Sequence, residues 1–221
     1  WWFPAELQLL VLLASSVAQD QADQTKKFKK FSPSDFIAIS ESWSPEKGAE
    51  GTWREGKDND GDPKFLVCSG KPTGFLRTRQ VYDNFRLSFE WRYAKDESGN
   101  SGVLLYTKNA KKIWPQSLQV QLHVPKAGSV LTHDGAKKEG MLAASGLVTK
   151  PLLWNRCVII SRDGTLTVEI NGKKVGTVTN CVPKAGHIAL QSEGSVVHFR
   201  NIELVPAPKP PSDSGAATAA R

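Results

Sequence analysis

Cysteine is scarce: the 221-residue chain has three, Cys68, Cys157 and Cys181. Three cannot all pair within one chain, so the fold cannot rest on a disulfide framework, and their spacing matches no metal-binding pattern. Cys157 and Cys181 could bridge in an oxidising compartment, but buried free thiols fit as well. No metal and no cofactor is expected. Long apolar runs are missing too. The apolar core from Leu7 to Leu13 is too short to cross a bilayer, so no membrane span is expected. There is no internal repeat of fixed period, which disfavours a propeller. Helical periodicity is nearly absent, and only residues 33–39 suggest a short helical turn. Charge of one sign does not gather either. The formal net charge is +7, but Lys26-Lys27, Lys29-Lys30, Lys111-Lys112, Lys137-Lys138 and Lys173-Lys174 are scattered along the chain. A nucleic-acid surface needs such charges on one face, so these pairs read as solvated turns and edges and no nucleic-acid partner is expected.

What is present divides the chain. Ser16 and Ala18 follow the apolar core at the spacing a signal peptidase prefers, so residues 1–18 read as a signal peptide. Export to the periplasm or the cell exterior is the expectation. Residues 19–32 form a polar, lysine-rich lead-in. Residues 206–221, rich in Pro, Ala and Ser, read as a disordered tail. The domain at 33–205 is long enough to bury a proper core, with 39% hydrophobic and 23% charged residues in the whole chain.

That domain reads as short strands divided by turn signals. In "NFRLSFEWRY" Phe85, Leu87, Phe89, Trp91 and Tyr93 alternate with Arg86, Ser88, Glu90 and Arg92. "SLQVQLHV" sets Leu118, Val120, Leu122 and Val124 against Ser117, Gln119, Gln121 and His123. "TLTVEING" sets Leu166, Val168 and Ile170 against Thr165, Thr167 and Glu169, then turns at Asn171-Gly172. Further strands are expected at 51–55, 64–69, 74–79, 101–107, 154–161, 173–179, 186–192 and 196–204. Ten or more half-polar strands imply an all-β chain of two packed antiparallel sheets, a β-sandwich or jelly roll.

The stretch "LQSEGSVVHFRNIEL" places Gln191, Glu193, His198 and Arg200 among apolar residues. If 186–193 and 196–204 form a hairpin turning at Gly194-Ser195, or one residue earlier, Ile188, Leu190, Val197 and Phe199 share the core face. Gln191, Glu193, His198 and Arg200 then share the other. A face with an acid, an amide, an imidazole and a guanidinium is a solvated surface or a polar groove. Gln119, Gln121 and His123 line an equivalent face, and planar amides suit sugar hydroxyls, so the two ribbons are expected to meet in one hollow.

The series "GFLRTRQVYDNFRLSFEWR", "GNSGVLLY", "IWPQSLQVQL", "WNRCVIISRDGTLTVEINGKKV" and "GHIALQSEGSVVHFRNIEL" resembles the 3-keto-disaccharide hydrolase domain family over about 53–204. The resemblance implies a fold similar to the concanavalin-like lectin and glucanase sandwiches. It also implies export and cleavage of glycosides whose glucose ring is first oxidised at C3. A C3 ketone acidifies the C2 hydrogen, so a base, a donor for the enolate oxygen and a proton for the leaving oxygen suffice. The spaced carboxylate pair of an ordinary glycosidase is not required. Carried over residue by residue, the resemblance matches Asn100, Ser101, Gln121, Gln191, Glu193 and Arg200, and it implies substrate contacts at the first four. On chemical grounds Glu193 or His123 would move the proton and Arg200 would stabilise charge. Gln119 and His198 join the polar set as substrate-binding candidates. Trp154-Asn155 and Asn171-Gly172 read as structural. The chain departs from the family where members often carry glutamate in "(I/L)-E-V-Q-L", the place of Gln119, and an amide cannot act as a general base.

Three readings stay open at this point. The first is an exported enzyme that cleaves 3-keto-glycosides by elimination and hydration. The second is a non-catalytic carbohydrate-binding sandwich, which Gln119 favours. The third is an interaction domain whose polar face is merely solvated. Oligomeric state is not readable.

Overall fold

The computed structural model describes residues 29–30, 35–40, 51–57, 65–108 and 112–207. The segment expected as a signal peptide, 1–18, and nearly all of the expected tail at 206–221 lie outside them. Among the described residues, fifteen strands make two antiparallel sheets. They are β1 (Lys29–Lys30), β2 (Phe36–Ser40), β3 (Trp53–Gly56), β4 (Phe65–Cys68), β5 (Gly74–Thr78), β6 (Phe85–Tyr93), β7 (Gly102–Thr107) and β8 (Ser117–Gln121). β9 (Val130–His133), β10 (Lys137–Glu139), β11 (Asn155–Arg162), β12 (Thr165–Ile170), β13 (Lys173–Val182), β14 (His187–Ser192) and β15 (Val197–Pro206) complete the set. The larger sheet runs β10-β13-β12-β11-β6-β15-β4-β3, with β1 also on β15. The smaller runs β2-β5-β14-β7-β8-β9. The fold is the two-sheet β-sandwich that the alternation implies.

Alternation becomes core. Phe85, Leu87, Phe89, Trp91 and Tyr93 of β6 are all buried between the sheets, as are Leu118 and Val120 from β8, Leu122 just past its end, and Leu166, Val168 and Ile170 from β12. An apolar residue at every second position gives each strand one buried face, and the two such faces close on each other. Asn171-Gly172 turns β12 into β13 with φ of 51° and 77°, the left-handed pair a tight hairpin requires. Cys68, Cys157 and Cys181 are buried free thiols.

Two expectations are corrected. Of the helical turn expected over 33–39, residues 33 and 34 lie outside the described residues and Asp35 is 3-10, but Phe36–Ser40 is strand β2, paired along β5 from Phe36↔Thr78 to Ser40↔Gly74. Ladder pairing against an apolar strand overrides the weak local helical pattern. The second correction concerns 186–204. β14 and β15 are not a hairpin. β14 pairs with β5 and β7 in the smaller sheet, whereas β15 pairs with β4 and β6 in the larger. The link between them arches from one sheet to the other. It is pinned by Gly194 N to Gly70 O at 2.8 Å, by Ser195 Oγ to Asp96 Oδ2 at 2.8 Å and by Ala94 N to Val196 O at 3.1 Å. Gly70, at φ 80°, packs so closely on this arch that a Cβ there would lie 2.6 Å from the Gly194 carbonyl carbon. Ile188, Leu190, Val197 and Phe199 do share the core, but they meet across it, and the polar sides of the two strands face opposite ways.

Candidate functional site on the smaller sheet

The outer face of the smaller sheet carries the first set of chemistry-bearing residues. Register puts Phe75 opposite Gln191 and Gly102 opposite Gln121. Leu190 pairs with Val103, so Gln191 and Gln121 flank Gly102 from either side. One row along, Arg77, Ala189, Leu104, Gln119 and Leu131 lie side by side. Directly opposed residues share a face, so this row and the glutamine row project together. Phe75, Leu104 and Ala189 form a small buried patch on this face, with Trp114 against it.

At the end of the face, Glu193, Asn100 and His123 come together. Burial pushes the Glu193 carboxyl above its ordinary value, against the opposing pull of the Asn100 side-chain hydrogen bond and of nearby His123. Asn100 is held by its backbone N–H, which donates to Ser195 Oγ at 2.9 Å. Its Oδ1 is sealed from solvent and accepts from no protein group, an acceptor suited to a ligand hydroxyl. His123 also faces Asp96, whose carboxyl is held low chiefly by the Ser195 hydroxyl. The Gln121 Oε1 accepts from the backbone N–H groups of Leu122 and His123 at 2.9 and 3.0 Å, which ends β8 and fixes where His123 begins. A desolvated carboxyl beside an imidazole, with amides in the next row, can move a proton and hold hydroxyls.

Gln119 and Gln191 are buried in the middle of the face, each 2% exposed. Gln119 Nε2 donates to Gln191 Oε1 at 3.4 Å, and His133 Nε2 lies 2.6 Å from Gln119 Oε1. Ser101 is fully buried and its hydroxyl donates to the Gln191 backbone carbonyl at 2.8 Å. It fastens β7 to β14 and holds Gln191 in place.

Arg200 and His198 lie elsewhere. On the outer face of the larger sheet, Arg200 Nε donates to Glu90 Oε2 at 2.6 Å, and Asn201 Nδ2 reaches the same oxygen at 3.2 Å. The guanidiniums of Arg200 and Arg92 sit 4.2 and 4.5 Å over the Trp154 ring. Arg92 Nε donates to His198 Nδ1 at 3.3 Å, and His198 packs on Phe65 at 4.7 Å between centroids. The structure thus joins Glu193, His123, Asn100, Gln121, Gln119 and Gln191 on one face and leaves Arg200 and His198 on the other, because β14 and β15 belong to different sheets.

The family can now be given. The model of the 3-keto-α-glucoside-1,2-lyase-like domain matches residues 38–205. The chain belongs to this family. Among curated proteins, a search finds no match. Among solved structures, a candidate glycosyl hydrolase from Parabacteroides distasonis ATCC 8503 shares 22% identity at a TM-score of 0.58, over 79% of this chain and 94% of that one. A carbohydrate-binding module from Bacillus subtilis shares 10% identity at a TM-score of 0.52, over 76% and 93%. A Bacillus subtilis protein of galectin-like fold shares 10% at 0.52, over 83% and 100%. These likenesses show the fold, and family membership supports a carbohydrate-active role.

Sequence reasoning missed His133, Trp114 and Asp96. A signal for the first was available: Asp134-Gly135, with φ of 47° and 78°, is a tight turn closed by the Ala136 N–H donating to the His133 carbonyl at 3.0 Å, and such a turn dipeptide marks the end of "VLTH" as a strand. Among the described residues no group of three or more His, Cys, Asp or Glu could hold a metal ion, and no helix is long and apolar enough to cross a membrane.

Proposed function

We propose that this chain cleaves 3-keto-glycosides at the Glu193 end of the smaller sheet. The observation that carries the reading is the desolvated Glu193 carboxyl, bonded by Asn100 and facing His123, in a chain of the 3-keto-α-glucoside-1,2-lyase-like family. Glu193 takes the C2 proton, and the C–H electrons pass into the C3 carbonyl as an enolate. The ketone then re-forms as the C1–C2 double bond closes and the C1–O bond breaks, with the His123 imidazole protonating the leaving oxygen. Water then adds at C1, giving its proton to the now neutral His123, and C2 recovers a proton from Glu193, so both groups return to their starting states and the sum is hydrolysis. Asn100 Oδ1 accepts from a ring hydroxyl. Desolvation suits this work because it brings a carboxylate closer in basicity to the weakly acidic carbon.

The test is aglycone release from an aryl 3-keto-glucoside or cleavage of 3-keto-trehalose by the full chain. Turnover that is lost in Glu193→Gln or His123→Ala supports the reading. Glycan binding without any turnover would leave the second reading, a carbohydrate-binding sandwich, which Gln119 favours by standing where relatives often carry glutamate. We also propose export, supported by the Leu7–Leu13 core with Ser16 and Ala18 after it. N-terminal sequencing of the secreted protein checks it, with Gln19 expected first.

A further inference from the structure

Elimination needs a donor for the enolate oxygen, and Arg200 is on the opposite sheet. The smaller sheet offers another. Gly102 is a site floor without a side chain, and the Gln119 and Gln191 amides close over it: a Cβ there would lie 2.6 Å from Gln119 Nε2 and 2.9 Å from Gln191 Oε1. The directions of the hydrogen bonds are fixed by chemistry. A carboxamide oxygen only accepts, so His133 Nε2, 2.6 Å from Gln119 Oε1, carries a proton. That bond turns Gln119 Nε2 toward Gln191 Oε1, which in turn leaves the Gln191 NH2 group pointing away from the pair. Among the described residues nothing accepts from it. Gln121, on the other side of Gly102, turns its Oε1 back to two backbone N–H groups at the end of its own strand. The Gln191 NH2 group is therefore the amide donor turned out of the pair. Gln191 stands two residues before Glu193, a spacing of about 6.6 Å along extended backbone, which fits a base at C2 and a donor at the C3 oxygen of one sugar ring.

We infer that the Gln191 NH2 group is the oxyanion donor for the C3 oxygen of the substrate's keto ring, and that His133, acting through Gln119, turns that group out of the amide pair toward it. The inference rests on the elimination reading above. It gives Gln119 a meaning opposite to a missing catalytic acid. A carboxylate at 119 can only accept, so Gln191 would turn over to donate to it, and the oxyanion site would lose a donor. Gln191 is then a catalytic residue, while Gln119 and His133 are positioning residues. Burial holds the His133 imidazole below its ordinary pKa, which keeps the neutral tautomer in place at neutral pH.

The decisive variant is Gln119→Glu in the full chain, with folding verified by circular dichroism. Two readings are taken: aglycone release from an aryl 3-keto-glucoside, and deuterium exchange at C2 of a 3-keto-1-deoxyglucose that has no leaving group. Both rates are expected to fall on the order of 100-fold, with little change in KM, as for removal of one oxyanion donor. Gln191→Met should reproduce the loss. His133→Gln, which can still donate to Gln119, should keep most of the turnover that His133→Ala loses. A Gln119→Glu protein that cleaves as fast as wild type or faster overturns the oxyanion site and leaves the elimination reading standing. A wild type inert in both assays overturns the two together. Nitrogen-15 NMR of the His133 imidazole tests the relay on the protein alone: a proton on Nε2 supports it, and a bare Nε2 overturns it whatever the activity.

Discussion

Gly102→Ala places one methyl group where the two buried amides cross. The added Cβ would lie 2.6 Å from Gln119 Nε2, 2.9 Å from Gln191 Oε1 and 3.0 Å from Gln119 Cδ. Contacts this short require something to move, and both glutamines are packed, each 2% exposed. Overpacking of this kind costs about 1–3 kcal/mol. Parting the Gln119–Gln191 bond adds about 0.5–1.5 kcal/mol. Against this, alanine narrows the unfolded ensemble and returns about 0.4–1 kcal/mol. The net destabilisation is therefore about 0.5–4 kcal/mol, centred near 2. Urea unfolding reads it directly: a loss of about 2 kcal/mol with a slope near 2 kcal/mol per molar lowers the midpoint by about 1 M. Turnover of an aryl 3-keto-glucoside should fall as well, because the displaced Gln191 no longer meets the C3 oxygen. A midpoint that stays or rises, with turnover intact, would refute the crossing of the amides over Gly102.

Three other outcomes are expected. Desolvation raises the native pKa of Glu193 above its ordinary 4.5, so the folded state binds its proton more tightly than the unfolded state does. Its stability contribution is complete below the unfolded value and is lost as pH rises through the native one. Glu193→Gln should thus exceed wild type in urea midpoint at neutral pH and match it in acid, while losing turnover. Arg200→Ala should leave turnover within about twofold, since its partners are Glu90 and Trp154 on the far sheet, and should cost ~1 kcal/mol of stability; a tenfold loss of turnover would contradict that placement. Burial pushes the Cys68 and Cys181 thiols up to about 11 and raises Cys157 as well. A thiol reagent should find no reactive cysteine in the native protein and three after denaturation.

Most of the fold was legible because period-two alternation is a local property. β6, β8 and β12 could be read residue by residue, and each has the expected inward set. β9 and β10 were missed. β9 is a four-residue edge strand and β10 has three residues, two of them lysines, so neither shows enough periods to stand out. The 36–39 part of the expected helical turn was misread since the five residues of strand β2 carry little pattern of their own and owe their form to β5. At the site, Glu193, His123 and the three glutamines were visible as polar residues of alternating stretches, and Asn100 came from the family resemblance. The roles of Gln119 and Ser101 were not visible, because they depend on partners 72 and 90 positions away.

The misplacement of Arg200 and His198 has a more general cause. Alternation states that Ile188, Leu190, Val197 and Phe199 share an interior, and a hairpin within one sheet meets that condition no better than an arch between two. What differs is the destination of the polar sides: together in the hairpin, on opposite outer surfaces in the arch. The choice is made by backbone groups outside both strands, Gly70 and Ala94, together with the Asp96–Ser195 bond. None of them carries a periodic signal. Yet the arch is also what builds the site, since the link that takes β15 away leaves Glu193 at the end of the smaller sheet. There, Ser195 of the same link holds both Asn100 and Asp96. Ser195→Ala should therefore weaken the Asn100–Glu193 contact and raise the Asp96 pKa in a single step. An NMR titration that finds both carboxyls unmoved would show that the link connects the sheets without shaping the site.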